Sequence, residues 1–537
     1  MPAPGTSSAP APAAGPAPVT PRPTAAGPRP AARTEAPANW HRLDLEQDGV
    51  LGIGSERALR ELLVNRRPAR RVIVAVIDGG VDTAHTLLSQ RLWRNGNDAA
   101  GNARDDDNNG YVDDALGWNY AGGASGESVN HDTFELTRLY SACKGLPAGS
   151  GLPRPDDTRC TALASDYARK RQEITGTLQQ IGNLTTSLER ATGTLREAMR
   201  TTDTLTTAKV RTFKASTAAA EEAQRVFLQL ADNGLDAKEL AEAKKGYDSQ
   251  FRYGLDTMYN PRRIVGDAEA PLPRGYGNRD VTGPDASHGT HVAGIIGARR
   301  DAGGDVQGIA PDVAIMALRA VPDGDERDHD VAHAIRYAAD NGAHIINMSF
   351  GKGYSPRKSA VDSAVRYAES KGVLMVHAAG NDGENTDVSP SFPTPILSNG
   401  DRARTWLEVG ASSWKGGTGI PASFSNYGKQ GVDLFAPGVD ILSSVPGGAT
   451  KKESGTSMAA PVVSGVAALM MSYFPNLSAA DVRTLLVESS RKLGDVDVIG
   501  PGDMGRTKFS ALSRSGGVID AFAAVKMALE RERPRQP

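Results

Sequence analysis

Four residues of this 537-residue chain have the types and order required for covalent hydrolysis by a serine: Asp78, His288, Asn381 and Ser457. A serine hydroxyl is a weak nucleophile at neutral pH, so an imidazole must accept its proton during attack. A carboxylate then fixes the imidazole tautomer and stabilises its charged form. The oxyanion that forms needs donors, and a side-chain amide together with a backbone N–H at a helix start can supply them. VIVAVIDGGVD puts Asp78 at the carboxyl end of a β-branched run, ASHGTHVAGIIGA puts His288 at the entry of a small-residue helix, HAAGNDG puts Asn381 just past a strand, and GTSMAAPVVSGVAALM puts Ser457 at the start of a long apolar helix. Each alone has a plainer reading: Asp and Asn-Asp-Gly make turns, a serine before an apolar run caps a helix, and a lone histidine is often a satisfied core residue. It is the conjunction that points to catalysis.

The elements that must position these residues are legible from hydrophobic runs. VIVAVI at 72 is apolar without alternation, as expected of a strand buried on both faces of a parallel sheet. Further runs follow at VAIMAL (313), HIINMSF (344), GVLMVHAAG (372) and WLEVGAS (406), separated by helical patterns such as HDVAHAIRYAADNG and SAVDSAVRYAESKG that each end in glycine. Alternation of this kind over residues 288–430 predicts an α/β fold with a doubly wound parallel sheet, whose carboxyl strand ends gather functional groups. Residues 121–285 differ. There Ile174, Ile181, Leu188 and Leu195 recur every seven residues, with Leu178 facing them, so a long helix seeks a partner. TAKVRTFKASTAAAEEAQRVFLQLADNG and a helix opening at Asp236, with Glu239 in capping-box position, predict a helical hairpin or bundle inserted in the α/β domain. The expected partition is a disordered Pro/Ala-rich tether at 1–38, the first part of the α/β domain at 39–120, the insertion at 121–285, the remainder at 286–530, and a disordered tail at 531–537.

Charge excludes some partners. With 61 Lys+Arg against 63 Asp+Glu there is no global field for nucleic acid or an anionic membrane surface. No window approaches 18 unbroken apolar residues, so no membrane span is expected. The N-terminal stretch lacks a basic start followed by an apolar block, so it does not read as a signal peptide. Cys143 and Cys160 are compatible with a disulfide or with two free thiols, the former favoured in an exported chain.

VAVIDGGVD, HGTHVAGIIGA, INMSFG, AAGNDG, FSNYG, FAPGVDI and GTSMAAPVVSGVAAL resemble, in chain order, the signature blocks of subtilisin-like serine proteases, the subtilases. The Asp, His, Ser order is that of subtilisin. The resemblance covers about residues 40–120 and 285–530 and implies that Asp78, His288 and Ser457 form a catalytic triad with Asn381 as oxyanion donor. It also implies that Ser349, Phe350 and Gly351 form an edge for extended substrate, that Ala378, Ala379 and Gly380 line the pocket for the residue before the cut, and that His291 is structural. Pro461 is expected in the first turn of its helix, where no N–H is needed. The expected activity is a secreted or periplasmic endopeptidase acting on proteins or peptides, with no cofactor in catalysis. The family pattern is broken by the 210 residues between Asp78 and His288. The insertion is expected to account for most of them, and to bind a partner, gate substrate or serve as a packing spacer. DDDNNGYVDD offers Asp105, Asp107, Asn109, the Tyr111 carbonyl and Asp113 in the spacing of a calcium loop, but position twelve is Leu116, which leaves a partial loop with structural calcium or an acidic solvated turn. The rival class, a scaffold with an inactive core, is disfavoured by the four filled positions. A lipase is disfavoured because GTSMA is not a G-x-S-x-G elbow.

Overall fold

Apolar runs that do not alternate need cover on both faces, and the computed structural model, which describes residues 35–532 except 100 and 267–273, provides it. The expected tether and tail fall almost wholly outside these residues. The chain divides into residues 1–35 and 36–537, and every feature below lies in the second unit. Apart from a short antiparallel pair, Asp497–Ile499 with Arg506–Lys508, its strands are, in chain order, β1 (Val72–Asp78), β2 (Gly117–Asn119), β3 (Val313–Arg319), β4 (Ile345–Met348), β5 (Leu374–Ala378), β6 (Trp406–Ser412), β7 (Leu434–Pro437), β8 (Ile441–Val445), β9 (Ala449–Glu453), β10 (Arg491–Lys492) and β11 (Gly517–Val518). Nine of them form one sheet in the order β10-β11-β7-β6-β5-β4-β1-β3-β2, parallel except for the β10–β11 edge, while β8 and β9 pair as a separate antiparallel ribbon.

The main helices are α1 (Glu135–Lys144), α2 (Asp157–Met199), α3 (Ala218–Asp232), α4 (Ala237–Ser249), α5 (Ser287–Gly297), α6 (Asp328–Asp340), α7 (Lys358–Ser370) and α8 (Thr456–Tyr473). Because side chains alternate along a strand, Val72, Val74 and Val76 pack with α5 and α8 on one face, and Ala75 and Ile77 with α6 and α7 on the other. This is a doubly wound α/β sheet. Helix α8 is long and apolar enough to cross a membrane by length and composition, yet 94% of it is buried, which makes it the core helix of the fold.

The heptad residues Ile174, Ile181, Leu188 and Leu195 are all buried along α2. Leu195 packs with Val210 and Ala223, and Leu188 with Leu230 and Leu240, so α3 and α4 fold back on α2. The stretch read as one helix from 207 is two, Thr207–Thr212 and α3, because Thr217 caps a new start by accepting from the Ala220 N–H. Asp236 caps α4, accepting from the N–H groups of Lys238 and Glu239. A disulfide joins Cys143 to Cys160, tying the end of α1 to the start of α2.

Buried ions anchor this helical segment to the sheet domain. Glu135 of α1 accepts from Arg138 at 2.6 Å and from Lys352 at 2.8 Å, and Lys352 also meets Asp328 at 2.8 Å. Burial opposes ionisation of Glu135, but the two cations outweigh it and hold its carboxyl below the usual range. Asp132 is gripped by Arg327 through two bonds of 2.9 Å. Leu195→Ala should cost about 2–5 kcal/mol by removing a fully buried side chain, and a denaturant melt of the purified chain measures this.

Candidate active site

Three of the expected residues lie where strands end. Asp78 is the last residue of β1, Ser349 follows β4, and Asn381 lies three residues beyond β5, all at the carboxyl edge where open α/β sheets bind ligands. Helix starts bring the others. His288 is the second residue of α5 and Ser457 the second of α8, whose N-terminus points its positive dipole end into the same edge.

His288 and Asp78, 210 residues apart, meet directly. The imidazole Nδ1 lies 2.8 and 3.0 Å from the two carboxylate oxygens, and Oδ1 accepts a further bond from the Gly79 N–H at 2.7 Å. Asp78 is 2% exposed. With the carboxylate accepting from Nδ1–H, Nε2 is the proton acceptor of the neutral ring. Burial disfavours the imidazolium, but the charge of Asp78 and its hydrogen bond outweigh this, and His288 is pushed up to about 9. His291 has a different environment: buried, with Nε2 on the Lys451 carbonyl at 3.0 Å, it is lowered to about 4 by desolvation. It is a packing residue.

Ser457 is not a helix cap; that position belongs to Gly455. Its hydroxyl donates to the Ser349 carbonyl at 3.0 Å. Asn381 is held by its oxygen, which accepts from the N–H and the hydroxyl of Thr456 at 2.8 and 2.9 Å. Its amide nitrogen is thereby turned the other way. A methyl group placed on Gly455 would lie 3.5 Å from that nitrogen and 3.6 Å from the Ser457 backbone nitrogen. The absent side chain thus leaves a space bordered by the Asn381 amide nitrogen and the Ser457 backbone nitrogen. Thr456, which orients Asn381, was missed by sequence reasoning, although its place beside Ser457 in GTSM was a signal.

Of the expected substrate edge, Ser349 is buried, Phe350 half-buried and Gly351 exposed; of the expected pocket, Ala378 and Ala379 are buried and Gly380 half-buried. A side chain on Gly351 would collide with the Ser391 hydroxyl and lie 3.7 Å from His377 Nε2. Ser391 and His377 are therefore further residues behind this edge. His377 is fully buried and hydrogen-bonded to Glu408 at 2.9 Å. Nothing in their spacing marks them, since the β5 run reads as core.

The acidic loop is held by its own hydrogen bonds and one ion pair. Asp113 accepts from the N–H groups of Gly101, Asn102 and Ala103 and pairs with Arg279 at 2.6 Å, while Asp105 accepts from those of Asn109 and Gly110. Asp107 accepts amide bonds from Asn95 and Asn109, and the Tyr111 N–H donates back to Asn109. Among the described residues no group of three or more His, Cys, Asp or Glu converges to hold a metal.

A model of the subtilase family matches residues 201–504, a span that contains His288, Asn381 and Ser457 but not Asp78. The chain is 38% identical over 217 residues to subtilisin BL of Lederbergia lenta, covering 40% of this chain and 74% of that protein. It is 39% identical over 208 residues to a thermophilic serine proteinase of Bacillus sp. (strain AK1), covering 38% of this chain and about half (47%) of that one. Among solved structures, the prenylagaramide maturation protease PagA is 31% identical, with a TM-score of 0.36, covering 45% of this chain and 82% of that chain.

The His288–Asp78 contact is open to a direct test. Because the carboxylate stabilises the imidazolium, the His288 ring should titrate near 9, and Asp78→Asn, which leaves burial unopposed, should bring the midpoint down to or below the ordinary imidazole value of about 6.5. NMR titration of the ring protons measures both; a midpoint that Asp78→Asn leaves unmoved contradicts the assignment.

Proposed function

Because this chain belongs to the subtilase family, we propose that it is a serine endopeptidase whose reaction is carried by Asp78, His288, Ser457 and Asn381. The observation that carries this reading is the Asp78–His288 contact, which leaves Nε2 free to take a proton. Ser457 Oγ attacks the scissile carbonyl while His288 Nε2 removes its proton, and Asp78 holds the Nδ1–H and stabilises the imidazolium. The oxyanion is received by the Asn381 amide and the Ser457 N–H in the space beside Gly455. His288 then returns the proton to the leaving amine, and water repeats the sequence on the acyl-enzyme.

Protein or peptide substrate lies extended along Ser349, Phe350 and Gly351, pairing by backbone, with Ala378, Ala379 and Gly380 bordering the side chain before the cut. Such contacts read little sequence, so broad specificity follows. The helical segment 121–285 is an insertion between the two parts of the catalytic domain, 39–120 and 286–530, and gates substrate. Support comes from α4, whose Glu242 reaches Lys451 of β9 at 2.8 Å, six residues before Ser457. The disulfide supports an exported enzyme, secreted or periplasmic.

Three outcomes are expected. Ser457→Ala should abolish peptide hydrolysis and labelling by a fluorophosphonate; retained turnover overturns the assignment. Gly455→Ala, which fills the space between the two donors, should lower kcat by about 10²–10³ with KM nearly unchanged. Structural calcium at Asp105, Asp107, Asn109, Tyr111 and Asp113 would require Asp113 to leave Arg279. If calcium binds there, chelation lowers Tm, and an unchanged Tm identifies the loop as a self-satisfied acidic turn.

A further inference from the structure

The nucleophile's own carbonyl lacks its helical partner. In a regular helix the Ser457 C=O accepts from the N–H four residues on, and that residue is Pro461, which has none. Helix α8 begins at Thr456, so Pro461 lies in the second turn, not in the donor-free first turn expected from sequence. The missing bond falls on the residue that attacks.

A replacement donor comes from the neighbouring strand end. The Ser349 hydroxyl donates to the Ser457 carbonyl at 2.9 Å, the Asn347 side-chain Nδ2 donates to the Ser349 hydroxyl at 2.9 Å, and the Ser464 hydroxyl donates to the Asn347 side-chain Oδ1 at 2.8 Å. Asn347 and Ser464 are fully buried and Ser349 is 3% exposed. Ser464 stands seven residues beyond Ser457, two turns along the same face of α8, so the chain of bonds leaves the helix, crosses to β4 and returns to the helix start. Ser349 also receives the Ser457 hydroxyl on its own carbonyl at 3.0 Å. The two serines therefore hold each other by both hydroxyls and both carbonyls. A part-buried acceptor left without a donor costs free energy, so the first turn of α8 is pinned where Ser349 can reach it.

We propose that Ser349, oriented by Asn347 and Ser464, is a positioning residue that substitutes for the N–H missing at Pro461 and thereby sets the aim of Ser457 toward substrate. The inference rests on the endopeptidase reading and assigns a role to the Ser349 side chain beyond its backbone's place in the substrate edge. It predicts a specific coupling. With proline at 461 the Ser349 hydroxyl is the carbonyl's donor; with alanine there the helix supplies one itself.

The test uses the full chain as wild type, Ser349→Ala, Pro461→Ala and the double variant, with active-site titration, kcat and KM on a short chromogenic peptide amide, and the rate of Ser457 phosphonylation by a fluorophosphonate. Ser349→Ala should lower kcat and the phosphonylation rate at least about tenfold, with KM within about twofold. In the Pro461→Ala background the same substitution should cost less than about twofold, because the backbone N–H restored at position 461 takes over the carbonyl. An equal loss in both backgrounds, or no loss with proline present, overturns the proposal. If Ser349→Ala does not fold by circular dichroism, Ser464→Ala replaces it and must show the same dependence on residue 461. A wild type that is phosphonylated at Ser457 but cleaves no peptide overturns the endopeptidase reading instead, and the coupling is then judged on phosphonylation alone.

Discussion

The hydrogen bond between His288 and Asp78 depends on the bareness of the backbone around it. A side chain on Gly289 would collide with the Gly80 carbonyl and stand 3.1 Å from the Asp78 carboxylate, so α5 could not seat against the end of β1. That close approach, rather than any special property of the imidazole, sets the chemistry of His288. The ring is 42% exposed on its side chain, and it acquires its basicity from a carboxylate held almost out of water. The sheet matters to this site chiefly because it holds the ends of β1, β4 and β5 in register while α5 and α8 bring the histidine and the serine to them.

Around this contact the remaining parts act as constraints on orientation. Thr456 occupies the oxygen of Asn381 and so decides which way its nitrogen points. Gly455 is open on the side that faces the two donors, and Ser349 faces the first turn of α8. Each of these contacts removes a degree of freedom from a side chain or helix start at the candidate site.

The strands could be read from sequence because buried parallel strands are apolar without interruption, and the long helix because its heptads have no other use. VIVAVI, VAIMAL and WLEVGAS each became a strand, and Ile174 to Leu195 became the seam of α2. What the sequence concealed was of two kinds. One was the break at Phe213–Thr217, where a capping threonine interrupts a stretch whose helical propensity is otherwise continuous. The other was polar pairing across the fold: Ser349 with Ser457, His377 with Glu408 and Asp113 with Arg279 are separated by up to 166 residues, and no periodicity carries such information. Asp113 is one such case: alongside its loop spacing, its oxygens accept from backbone N–H groups and a distant arginine.

Lys352 gives the helical segment a significance that its surface helices do not. This lysine directly follows Gly351, and its buried ammonium is shared between Asp328 of the sheet domain and Glu135 of α1. Arg327, also on the sheet side, has its two guanidinium bonds to Asp132, which lies in the same helical stretch. Cutting that stretch out would leave a cation with half its counter-charge one residue from Gly351 and an arginine with nothing to grip. The segment is therefore not a cassette that can be lifted from one relative and dropped into another. Positions 327, 328 and 352 are thus tied by charge to the helical stretch they face.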